Sequence, residues 1–134
     1  MAPERIEREL ARLHDGGQAA EYVVAPRELV LYRGVPTAGV SRGLAGTTDV
    51  IVPVPPGYPA AMIDLAGLPV GSPFLPLVKG GQNNQGTIVG LDGRDWQLAS
   101  YHPHNGGGGT PWNQGRHGFH TYLDHLIAWL DRLG

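Results

Sequence analysis

The chain has 134 residues, no cysteine, and a formal net charge of −2 with a charged fraction of only 16%. That length suits one domain able to remove roughly 70% of the unfolded chain's surface from water, and residues 1–134 are read as a single unit. The charge balance offers no basic field for nucleic acid or an anionic membrane, and the missing thiol rules out disulfides, thiolate metal sites and thioesters.

"PERIERELARLH" at 3–14 places Ile6, Leu10 and Leu13 at helical spacing. Pro3 suits a first turn, Glu4 and Arg8 are an i, i+4 pair, and "DGG" at 15–17 is a stop. Met1 leads directly into this helix without a signal-type apolar run, so the expectation is a cytoplasmic chain. "EYVVAPRELVLYRGVP" and "TTDVIVPVPP" read as strands, with "SRGLAGTT" as a hairpin connection.

"VPVPPGYPAAMIDLAGLPVGSPFLP" carries seven prolines from Pro53 to Pro76. Each removes a backbone donor, so little of this segment is expected in a central strand, and an extended, side-chain-packed connector is predicted. "GTIVGLDGRDWQLAS" returns to strand character around the turn "LDGRDW". The final segment, "FHTYLDHLIAWLDRLG", lines up Phe119, Tyr122, Leu123, Leu126, Ile127, Leu130 and Leu133 on one helical face, with Trp129 at its margin. The fold class is therefore α+β: an N-terminal helix, an antiparallel meander, a proline-rich connector and a C-terminal helix packed on the sheet.

Chemistry-bearing residues concentrate in "YHPHNGGGGTPWNQGRH", 101–117. His102, His104, His117 and His120 fall within nineteen residues, but no loop carboxylate and no H-E-x-x-H pattern accompanies them, so no metal is assigned. Ser100, Tyr101 and Thr110 flank the histidines, and a histidine within reach could take a hydroxyl proton, although no G-x-S-x-G elbow is present. Gly106–Gly109 lack the lysine and helix entrance of a phosphate-binding loop and read as a loop that uses positive φ. No cofactor is implied. Trp96 and Trp129 suit the core, whereas Trp112 suits either core or ligand surface.

The order of these motifs resembles the ubiquitin-conjugating (E2) fold, and within it the diverged prokaryotic E2-like proteins found beside ubiquitin-like proteins and E1-like adenylating enzymes. The resemblance spans essentially the whole chain. It rests on the charged N-terminal helix, on "VPVPPGYP" as the proline-tyrosine-proline connector, and on "DWQLASYHPHN" and "TPWNQGRHGFHTYLDHLIAWL" as the strand, loop and closing helix. "HPHN" is similar to the HPN tripeptide of eukaryotic E2 proteins, with His104 interrupting it, and Asn105 falls on the tripeptide's asparagine.

In that family a cysteine shortly after the tripeptide carries the ubiquitin-like protein; here "GGGGTPWNQG" stands in its place. The resemblance thus implies a non-catalytic scaffold that binds an E1-like adenylating enzyme, a ubiquitin-like protein, or both. Arg5, Arg8, Arg12 and Trp112 are the expected partner-binding residues. The alternative is a transferase carrying the ubiquitin-like protein as an oxyester on Ser100 or another loop hydroxyl, with His102 or His104 as general base; Asn105 is a further candidate through its motif position. A peptide-binding module built on the connector and Trp112 is a further alternative.

Overall fold

A computed structural model describes residues 2–25, 27–78, 86–99 and 111–132. Helix α1 (Ala2–Asp15) buries Ile6, Leu10 and Leu13 and leaves Arg8 and Arg12 exposed. It ends in a Schellman motif. Gly17 sits at φ 89°, its N–H donates to the His14 carbonyl, and the Gln18 N–H donates to the Leu13 carbonyl. The "DGG" stop works through Gly17, which adopts the left-handed conformation at little cost. The i, i+4 ion pair of this helix joins Arg5 to Glu9 at 2.7 Å, and none joins Glu4 to Arg8 among the described residues.

Among the described residues six antiparallel strands form one sheet: β1 (Ala19–Val23), β2 (Leu29–Pro36), β3 (Thr47–Pro53), β4 (Ala66–Pro69), β5 (Thr87–Leu91) and β6 (Arg94–Ala99), in the order β1-β2-β3-β4-β6-β5. The meander continues as far as β4, and the β5–β6 hairpin then adds with its second strand inside. A short helical turn (Gly39–Arg42) interrupts the β2–β3 connection.

The proline-rich segment corrects the sequence expectation in one respect. Its residues Ala66–Pro69 form a central strand between β3 and β6. Pro69 stands at the strand's last position, so the three residues before it keep their N–H groups. Gly67 also makes close approach possible: a Cβ there would lie 2.6 Å from Ile51 Cγ1 and 3.0 Å from Leu98 Cδ2.

The alternation of β2 divides the core. Val30 and Tyr32 face the helices, together with Val50, Val52, Leu68 and the buried stripe of α1. Leu29 and Leu31 face the other way and meet Ile51, Ile88, Leu91, Trp96 and Leu98. The second cluster needs a curled sheet. Asp92, in the β5–β6 turn, lies 3.0 Å from Arg33 of β2, whereas a flat sheet would separate them by roughly 14–19 Å. Arg33 also bridges to Glu21, and Arg94 pairs with Asp49, so charged groups rim the apolar curl. Asp92 and Gly93, both at positive φ, make the two-residue turn that starts it.

Helix α2 (Phe119–Arg132) closes the other face. Phe119, Tyr122, Leu126 and Leu130 are buried as the periodicity predicts, with Leu123 and Ile127 partly buried. Trp129, read as suiting the core, is a core residue at 7% exposure, while Leu133 lies outside the described residues. At the far end of α2, Asp131 accepts from the Ala38 N–H at 3.0 Å and ties the helix to the β2–β3 connection.

Candidate functional site

The chemistry of a helix end is simple: its first N–H groups need acceptors. At α2 the acceptor for Phe119 comes from another helix. Glu9, only 4% exposed, receives the Phe119 N–H at 3.1 Å and the Tyr58 hydroxyl at 2.6 Å on Oε1, and the Arg5 Nε at 2.7 Å on Oε2. Three donors, one of them charged, compensate the burial of this carboxylate. Gly118 makes room for it, because a Cβ there would lie 2.3 Å from Oε2. Within the turn, the Gly118 N–H donates to the Thr121 hydroxyl, and the Phe119 carbonyl accepts from the buried Tyr32 hydroxyl at 2.7 Å.

Aromatic packing extends the junction into the connector. The Tyr58 ring lies 5.1 Å from Phe119 and 6.2 Å from Trp112, with the Arg5 guanidinium 5.5 Å from its centroid. Burial, reinforced by the hydrogen bond to Glu9, pushes the Tyr58 hydroxyl well above the usual phenol range. Trp112 is half-buried; its indole N–H donates to the Pro59 carbonyl at 3.0 Å, and its ring lies 5.7 Å from His117. Thus the residue expected to contact partners also fastens the end of the glycine-rich segment to the connector.

His117 and His120 do not share a helix face, because α2 begins at Phe119. His117 Nδ1 accepts the Asn113 N–H at 2.9 Å, and the His117 carbonyl accepts from Arg5 at 2.7 Å. His120 lies in the first turn, and desolvation lowers its pKa; Glu9 acts against that shift, while Arg12, Arg5 and His117 add to it. No group of three or more His, Asp or Glu side chains arranged to hold a metal occurs among the described residues.

Of the expected site residues, Arg5, Arg8 and Arg12 share one side of α1, but Arg5 is partly buried and engaged with Glu9 rather than exposed. Ser100, His102, His104 and Asn105 lie outside the described residues. Glu9 was missed by reading the helix as a charged surface. Its position three residues after Ile6 and four before Leu13, on the buried side, is the signal that could have identified it.

This arrangement can position helices and a loop end, and it presents cations beside them. No helix among those residues is long and apolar enough to cross a membrane. No curated protein and no solved structure matches the chain. The model of prokaryotic E2 family E, however, matches residues 7–133, from α1 through α2, and the chain therefore belongs to that family of E2-like proteins.

Proposed function

We propose that this protein is a non-catalytic, E2-like scaffold in a prokaryotic ubiquitin-like pathway, binding an E1-like adenylating enzyme, a ubiquitin-like protein, or both. Family membership supports the pathway, and the α+β arrangement of two helices around a curled antiparallel sheet is consistent with an E2-like fold. The observation that carries the non-catalytic reading is chemical: among 134 residues there is no cysteine, so this chain cannot hold its cargo as a thioester. Exposed Arg8, Arg12 and Arg116, which line one concavity, supply a cationic face for the adenylating partner.

Co-expression with an E1-like and a ubiquitin-like partner tests the reading. A complex that survives gel filtration and is lost in Arg8→Glu/Arg12→Glu supports it; failure to form a complex with either partner sinks it. Incubation with both partners and ATP adds a second criterion. A base-labile, reductant-resistant adduct that disappears in Ser100→Ala would replace the scaffold with an oxyester carrier.

A further inference from the structure

Between α1 and the first turn of α2 lies a cavity of about 520 Å³ whose walls include Arg5, Arg8, Arg12, Arg116, Glu9 and His120. Four arginines line one concavity in a chain whose net charge is −2. Arg5 is paired with Glu9, but no ion pair engages Arg8, Arg12 or Arg116 among the described residues. Gathering like charges is unfavourable unless a counter-charge binds there. Glu9 offsets Arg5, with which it is paired, and leaves Arg8, Arg12 and Arg116 without a paired carboxylate among the described residues. His120 also lines the concavity.

We propose that this cavity is a binding site for a small anion carrying two or more linked phosphate groups. Guanidinium forks match phosphate oxygens in bidentate geometry, which favours phosphate as the counter-charge. The row from Arg5 to Arg12 spans seven helical residues, about 10 Å, longer than a single tetrahedral oxyanion. The volume falls within the range of small-molecule sites. The arginines line a concavity rather than a flat face, which gives a compact anion room to meet several of them at once.

Calorimetric titration of the full chain with inorganic pyrophosphate, orthophosphate and adenosine diphosphate tests the site at low salt, where exposed charges are least screened. The expected result is one pyrophosphate per chain, bound about tenfold or more tighter than orthophosphate, with Arg12→Gln and Arg116→Gln each weakening it about tenfold. Arg27→Gln, away from the cavity, should leave binding unchanged. Pyrophosphate should also raise the melting temperature of the wild type more than that of either cavity variant. Tighter binding of adenosine diphosphate than of pyrophosphate would identify a nucleotide as the source of the phosphates; the reverse would identify the inorganic anion.

Absence of binding, equal weakening by Arg27→Gln, or tighter binding of an Asp/Glu-rich peptide than of pyrophosphate would overturn the proposal. Both cavity variants change exposed side chains, and an unchanged melting temperature without ligand verifies their folding. Because the titration uses this chain alone, its outcome is separate from that of the partner-complex experiment.

Discussion

The Phe119 N–H donates to the Glu9 carboxylate at 3.1 Å across 110 residues of sequence, so the last helix begins on a side chain of the first. The same carboxylate holds Tyr58 and Arg5. Glu9→Ala strands three donors at a buried junction and should destabilise the fold by about 3 kcal/mol, read as a lower urea midpoint. Glu9→Gln keeps an acceptor but loses the charge facing Arg5, and should cost less.

Gly118→Ala should be destabilising because of space, since its Cβ would meet Glu9 Oε2 at 2.3 Å. A cost of about 2 kcal/mol is expected in the wild type and much less in Glu9→Ala, where the obstacle is gone. A double-mutant cycle by urea denaturation measures that coupling; strict additivity would contradict it.

His120 gives the fold a pH dependence. Desolvation lowers its pKa in the native state from the ordinary value of 6.5, with Arg12, Arg5 and His117 also disfavouring the imidazolium and Glu9 favouring it. Between the folded and unfolded values the unfolded chain binds the extra proton. The contribution is therefore complete above pH 6.5 and is lost as pH falls toward the lowered native value. His120→Gln should lose less stability than the wild type between pH 7.5 and 5.5 in parallel urea titrations.

Trp96 anchors the curled face. It is fully buried, and its indole N–H donates to the Leu91 carbonyl across the hairpin at 2.9 Å. Trp96→Ala should cost about 4 kcal/mol and Trp96→Phe about 1–2 kcal/mol, the smaller loss reflecting the missing donor and a smaller ring. Thermal denaturation of the two variants checks the order.

Periodicity and turn chemistry made much of the fold legible. Ile6, Leu10 and Leu13 mark the buried side of α1, "DGG" stops it, and the spacing from Phe119 to Leu130 marks the inner face of α2. These features depend on neighbours a few residues apart, and sequence records such neighbours directly. The strand Ala66–Pro69 was obscured because proline count describes a whole segment, whereas a strand needs donors only at particular positions.

By itself, then, the sequence determined the α+β class, the helix faces and the absence of thioester chemistry, since each follows from local spacing or from which functional groups exist at all. Tertiary structure decided that Glu9 is a buried acceptor, that Arg5 is engaged while Arg8 and Arg12 remain exposed, and that Arg116 joins them around one cavity. Apart from the Arg5–Glu9 pair, those assignments depend on groups far apart in sequence, Glu9 with Phe119 and Arg5 with the His117 carbonyl. Whether a charged side chain is solvated or enclosed is settled by the packed elements around it, which local pattern does not encode.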